Sequence, residues 1–236
     1  MGFNKKLGNL ILESSCSLFI GDRGSGKSTL MALAAKEFIA AGKKVYCQYP
    51  YKGAYRIPLV EKQTKTTKKL LLDKDWLYNS DLSDSLVMID EARTVWNARA
   101  YNTWSELDEE FFNFIRKNRT TLILATQRYD GVDLNIRCAC DYTFFIQRSK
   151  FFRNWSTVDV SRTVQVKVAD KQTQIVSRGY TKNAMKVNWE IAEMPISFCH
   201  FYRKPFYGDF ETLYTTEEKA PAIALPWDEL LQNSQT

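Results

Sequence analysis

Gly21-Asp22-Arg23-Gly24-Ser25-Gly26-Lys27-Ser28 is a complete G-x-x-x-x-G-K-[ST] phosphate loop. It lies between the apolar run Cys16–Ile20, which reads as a buried strand, and a helix with Leu30, Ala34, Phe38 and Ala41 on one face, ending at Gly42. Strand, glycine-rich turn and helix in that order point backbone N–H groups and a helix N-terminus at one place, which suits a polyphosphate. The cradle runs from Gly21 through Asp22, Arg23, Gly24, Ser25 and Gly26 to Lys27, Ser28 and Thr29. Within it Lys27 is placed to reach β and γ phosphates, and the Ser28 hydroxyl to take a position on Mg²⁺.

Working outward, Leu86-Val87-Met88-Ile89 runs straight into Asp90-Glu91. This pattern predicts a buried parallel strand with carboxylates at its C-terminal end. Asp90 fits an acid that holds Mg²⁺, and Glu91 a base that polarises an attacking water. The pair points to hydrolysis, not to transfer onto a small acceptor. No Asn-Lys-x-Asp guanine-reading motif occurs, so ATP is the expected nucleotide. Gln127 ends the next strand, Thr121–Ala125, as either a γ-phosphate sensor or a solvated amide. A further cation is commonly needed to stabilise the transferred phosphoryl group. Candidates are Arg116, Arg119, Arg137 and Arg148; Arg137 ranks first, in a loop expected to face a neighbouring subunit, and Arg148 second.

With 236 residues and 44% hydrophobic content, the chain has enough apolar mass for an α/β core. The expected architecture is a mostly parallel sheet flanked by helices, followed by an antiparallel hairpin lobe. A core over 1–149, a basic β-rich extension over 150–217 packed on it and an acidic tail over 218–236 are the expected divisions. Residues Arg148 to Lys186 hold nine basic side chains against Asp159 and Asp170, so with a net charge of +6 the rest of the chain sums to −1. Phe151, Phe152 and Trp155 are interleaved with Arg148, Lys150 and Arg153, which would suit the phosphates and bases of DNA. The same patch would suit acidic proteins or anionic lipid, or simply solvate a hairpin. Five cysteines without framework spacing fit a reducing cytoplasm, with contact to a membrane only through partners. No run approaches the ~18 to 20 apolar residues of a membrane span.

The remaining pattern sets local expectations. Lys44–Gln48 reads as a strand, and Tyr55–Ser85 as helix and loop, with the lysines from Lys62 to Lys69 on a solvated helix. Thr103–Lys117 reads as a helix with a Thr103–Glu106 capping box and an apolar face of Leu107, Phe111 and Ile115. Tyr142–Ile146 is a core strand, and alternation from Trp155 to Tyr180 predicts a hairpin turning near Asp170-Lys171.

The succession of the phosphate loop, Val45-Tyr46-Cys47-Gln48, Ile89-Asp90-Glu91-Ala92, Phe114-Ile115-Arg116-Lys117, Leu122 to Gln127, and Val132-Asp133-Leu134-Asn135-Ile136-Arg137 resembles the zonula occludens toxin-like ATPases. These are assembly ATPases of filamentous phages within the FtsK–HerA group of RecA-like P-loop motors, and the resemblance covers residues 14–148. It implies a Mg²⁺-dependent ATPase motor in the form of a homo-oligomeric ring, a hexamer favoured. Viral or plasmid DNA extrusion or packaging is the implied task. Filamentous-phage members typically continue into a membrane-spanning helix and an outer domain, whereas this chain ends at Thr236, so a packaging ATPase of related type is a second expectation. A third is a nucleotide-gated assembly factor that uses ATP to organise coat or membrane proteins with little DNA-coupled turnover.

Overall fold

The strand leading into the phosphate loop, β1 (Cys16–Ile20), is buried at every residue. It pairs in parallel with β7 (Thr121–Thr126) on one side and β8 (Tyr142–Arg148) on the other. The computed structural model of the chain describes residues 2–63, 68–98, 104–176, 180–210 and 225–228, with the backbone alone described at 2–4, 62–63, 68–69, 165–176 and 180–191. β2 (Val45–Cys47), β3 (Tyr55–Arg56), β6 (Leu86–Ile89), β9 (Trp155–Val176) and β10 (Tyr180–Tyr202) complete an eight-stranded sheet in the order β10-β9-β8-β1-β7-β6-β2-β3. The strands from β8 to β3 are parallel to one another, whereas β9 joins β8, and β10 joins β9, antiparallel. The fold is therefore α/β with a mostly parallel sheet and an antiparallel hairpin extending one edge.

Both faces of the central strands are dry, and alternate residues serve opposite faces as the period of two requires. Phe19, Leu86, Met88, Ile123 and Ala125 meet α1 (Gly2–Glu13) and α2 (Lys27–Ala40) through Leu7, Ile11, Leu30, Met31 and Phe38. Leu18, Val87, Ile89, Leu122 and Leu124 meet α3 (Lys74–Asn79), α4 (Glu106–Phe114) and α5 (Leu134–Ala139) through Leu77, Phe112 and Ile136. Each such fully buried side chain contributes about 1.5–3 kcal/mol, so the loops at the strand ends rest on a rigid base. The edge strand β3 is covered by a returning segment: the Arg56 N–H donates to the Leu225 carbonyl at 2.7 Å, and Trp227 is wholly buried.

Three local expectations need correction. The lysine-rich stretch is not a helix; β4 (Leu59–Gln63) and β5 (Lys68–Leu72) pair antiparallel as a separate two-stranded sheet, with residues 64–67 outside the described residues. A lysine-rich sequence on so short a ribbon hides the strand signal. In α4 the cap is Ser105 with Asp108, a complete capping box, while Thr103 lies outside the described residues. The inward stripe is accordingly Asp108, Phe112 and Ile115; of the expected face, Ile115 is buried and Phe111 packs partly buried on the same core, whereas Leu107 is exposed. The long hairpin does not turn at Asp170-Lys171, which pair with Lys186 and Met185; strand pairing continues to Val176 and Tyr180, and residues 177–179 lie outside the described residues.

Candidate functional site

Parallel strands bring their C-terminal ends to one side of the sheet. From β1 comes the phosphate loop, from β6 Asp90 and Glu91, from β7 Gln127, and from β8 Gln147 and Arg148. A cavity of about 520 Å³ is lined by Gly21, Asp22, Arg23 and Ser25 together with Gln127, Gln147 and Arg148. Two glycines are imposed by the geometry. A Cβ at Gly21 would lie 2.3 Å from the Ile146 carbonyl oxygen, and Gly26, the N-cap of α2, has φ +111°.

Lys27 is buried and donates from Nζ to the carbonyls of Gly21 at 2.7 Å and Asp22 at 3.3 Å, so its ammonium lies within the loop. Burial lowers its pKa from the ordinary lysine value, opposed by Asp90, Glu91 and Asp22. Burial raises the pKa of Asp90, opposed by the N–H of Glu91, which donates to Oδ1 at 2.9 Å, and by Lys27. A desolvated acid and ammonium facing the same loop gain from a bound polyanion and cation. Glu91 has φ +51°, an uncommon backbone for a side chain of this size. Its Oε1 accepts from Gln127 Nε2 at 2.5 Å, which joins the ends of β6 and β7.

The four arginines separate cleanly. Arg116 pairs with Asp141 at 2.8 Å, and Arg119 with Asp84 at 2.5 Å. Those acids precede β8 and β6, so both arginines are held at the opposite end of the strands from the loop. Arg137 lies on α5 with its guanidinium 4.6 Å from the centre of the Tyr129 ring and is not among the residues lining the phosphate cavity. Arg148 lines it. A fifth, Arg203, was not among the arginines singled out from the sequence. It is 6% exposed and donates to the carbonyls of Gly24, at 3.1 Å, and Arg153. Buried Ser156 donates to the Ser25 carbonyl at 2.5 Å. A Cβ on Gly26 would lie 2.8 Å from Arg203 Cδ and 3.0 Å from Ser156 Oγ, so the base of the β9–β10 hairpin is packed directly on the phosphate loop. Neither residue belongs to a motif, and they stand 179 and 131 positions from the loop residues they bond.

The donor set fits a nucleoside triphosphate. Among the described residues the buried Ser25 hydroxyl has no hydrogen-bond partner, the N-terminus of α2 opens on the loop, and Lys27 supplies the cation. Ser28 lies in the first turn of α2, and Asp90 is the desolvated acid. Among the described residues no group of three or more His, Cys, Asp or Glu is arranged to hold a metal by itself. One hydroxyl and one carboxylate with phosphate oxygens is the ordinary way of holding Mg²⁺.

Fold and loop together define a P-loop NTPase architecture. The sequence profile of the zonular occludens toxin (Zot) family matches residues 15–191, three quarters of the chain, and the protein belongs to that family. No curated protein sequence matches it. Among solved structures, the N-terminal domain of zonular occludens toxin from Neisseria meningitidis aligns with a TM-score of 0.52 at 19% identity, over 84% of this chain and 99% of that one, which shows a shared fold. The genome packaging NTPase B204 from Sulfolobus turreted icosahedral virus 2, in complex with sulfate, gives a TM-score of 0.44 at 12% identity, over 61% of this chain and 90% of that one. Among the described residues no helix is long and apolar enough to cross a membrane.

Proposed function

We propose that this chain is a Mg²⁺-dependent ATPase that works as a homo-oligomeric motor, a hexamer favoured, on DNA during virion assembly. The observation that carries the reading is the Glu91–Gln127 hydrogen bond of 2.5 Å beside a complete phosphate loop. It puts a carboxylate suited to general-base work and an amide at adjoining strand ends. In this reading Gly21 to Thr29 would wrap the phosphates, Lys27 would bind the β and γ groups, and Ser28 and Asp90 would hold Mg²⁺. The bound cation would neutralise phosphate charge. Glu91 would take a proton from water as the water oxygen bonds to the γ-phosphorus and the bond to the ADP oxygen breaks. Gln127 fixes the carboxylate and meets the γ-phosphate. Arg148, at the end of β8, supplies a cation to the phosphates nearer the nucleobase, and Arg137 remains the arginine proposed to act across a subunit boundary.

The division into a core over 1–149, an extension over 150–217 and a tail over 218–236 belongs to the same proposal, with the basic stretch 148–186 as the DNA-facing part. Its lysine and arginine side chains beyond Arg162 lie outside the described residues. We place the protein in the host cytoplasm, meeting any membrane through coat or assembly partners. The contact of Ser156 and Arg203 with the phosphate loop also favours a second reading, in which ATP binding alone sets the hairpin for a partner and turnover is incidental.

Steady-state ATP hydrolysis with and without single- and double-stranded DNA tests the first reading. Glu91→Gln is expected to keep ATP binding and lower turnover by about 10²–10⁴-fold. Stimulation by DNA that weakens with salt supports a motor gripping phosphates. Equal turnover in wild type and Glu91→Gln removes the assigned base, and turnover indifferent to both DNAs favours the nucleotide-gated factor.

A further inference from the structure

The strand order gives a nucleotide on this loop a direction. Asp90, Glu91 and Gln127 stand at the ends of β6 and β7, on one side of β1, and β8 stands on the other. A γ-phosphate that meets Glu91 therefore points toward β7 and β6, and the far end of the nucleotide points toward the end of β8. There the chain forms a second cavity, of about 690 Å³, lined by Phe151, Phe152, Trp155 and His200 together with Gln147 and Arg148. Gln147 and Arg148 line the phosphate cavity as well, so the two share a wall.

The loop carrying the rings is closed on itself. The Ser149 N–H donates to the Trp155 carbonyl at 3.0 Å, and the Trp155 N–H to the Phe152 carbonyl at 3.0 Å. Ser149 Oγ accepts from the N–H groups of Phe151 at 3.3 Å and Phe152 at 3.1 Å. The Trp155 ring rests on Tyr202, with centres 5.0 Å apart. Yet Phe151 is 90% and Phe152 65% exposed, so core packing does not account for two large apolar side chains held on a hydrogen-bonded turn.

We propose that this cavity is the base subsite of the nucleotide, in which a purine ring stacks on Phe151, Phe152 and Trp155. The inference rests on the nucleotide reading above and deepens it. The cavity volume falls within the ~300–1,000 Å³ of small-ligand sites. The Gln147 amide offers both a donor and an acceptor to the ring edge, and Arg148 lies between the base and the phosphate loop. A nucleic-acid strand could stack on the same rings; the shared wall with the phosphate cavity favours the nucleotide.

Calorimetric titration of ATP and of inorganic tripolyphosphate into wild type, Lys27→Ala and the double variant Phe151→Ala/Phe152→Ala tests this. Both phenylalanines are exposed, so the double variant keeps the fold, which circular dichroism checks. The expected result is that the double variant loses roughly 5- to 150-fold in ATP affinity while its affinity for tripolyphosphate is unchanged. An unchanged ATP affinity overturns the base subsite, and loss of affinity for a single-stranded oligonucleotide in its place assigns the rings to a strand. Equal losses for ATP and tripolyphosphate also overturn it. If Lys27→Ala abolishes ATP binding while the double variant is silent, the nucleotide reading stands and only the subsite falls; if wild type binds neither ligand, both fall.

Discussion

Asp108 is wholly buried, and replacing it with asparagine isolates the charge from the shape. Its Oδ1 accepts from Trp96 Nε1 at 2.5 Å, from the Tyr78 hydroxyl and from Lys74 Nζ at 3.0 Å. Its Oδ2 accepts from the Ser105 N–H at 2.9 Å and the Ser105 hydroxyl at 2.7 Å. The Tyr78 and Ser105 hydroxyls can rotate to accept, but the Trp96 and Ser105 N–H groups only donate. Whichever way the new amide of Asp108→Asn is turned, it sets NH₂ against one of those two obligatory donors. An unsatisfied buried donor costs about 1–3 kcal/mol, and the loss of charge toward partly solvated Lys74 adds to it, for a total of about 2–4 kcal/mol. Urea unfolding followed by tryptophan fluorescence reads this directly, and the melting temperature should fall by about 5–15 °C. Burial works to raise the Asp108 pKa, yet the bonds from Trp96, Tyr78 and Ser105 hold it below the usual carboxylate range. With the folded value below the unfolded one, the stabilisation is present above the unfolded value of about 3.9 and lost as pH falls through the folded value. Wild type and Asp108→Asn should therefore differ most at neutral pH and converge in acid. A difference under about 0.5 kcal/mol at pH 7 would refute the reasoning, since that is the scatter of ordinary surface changes.

Asp90 carries the opposite sign: its folded pKa is raised, so its contribution is favourable below the unfolded value and is lost as pH rises through the folded one. Asp90→Asn should raise the melting temperature of the nucleotide-free protein at pH 7 while abolishing Mg²⁺-dependent turnover; a lower melting temperature at pH 7 contradicts the desolvation argument. Arg203→Ala removes the bonds to Gly24 and Arg153, and should cost about 2–3 kcal/mol in urea unfolding, because both carbonyls can rehydrate in part. It should also weaken ATP binding by about 10-fold through a less preorganised loop; unchanged ATP affinity would show that the hairpin base does not support the loop.

The central sheet was legible because its strands are continuous apolar runs ending in chemistry: Cys16–Ile20 into the loop, Leu86–Ile89 into Asp90, Thr121–Ala125 into Gln127. Parallel topology then carries all three ends to one side without further information. The β4–β5 ribbon was not legible, since lysines at its pairing positions mimic a solvated helix. Nor was the true face of α4, because its inward stripe includes a charged residue, Asp108, whose partners Tyr78 and Trp96 lie on other elements. A buried carboxylate satisfied from several elements has no periodic signature. Arg203 and Ser156 were hidden for the same reason: their role depends on β9 and β10 returning to the loop, and pairwise proximity of that range is written in no local pattern.

That return contact bears on how chemistry at the loop can be felt elsewhere. The backbone of Gly24 and Ser25 that would surround phosphate also accepts from Arg203 and Ser156, so the same peptide groups serve ligand and hairpin. Burial lowers the pKa of Arg203, and Arg148, which lines the phosphate cavity, acts in the same direction. A polyanion there would offset the repulsion between the two guanidinium groups. On the other flank the link is shorter, through Gln127 to Glu91. Loss of a γ-phosphate would thus be sensed at β7 and β6, and arrival of the whole nucleotide at β8, β9 and β10. With contacts on opposite sides of one loop, ligands of different length would favour different arrangements of the two flanks.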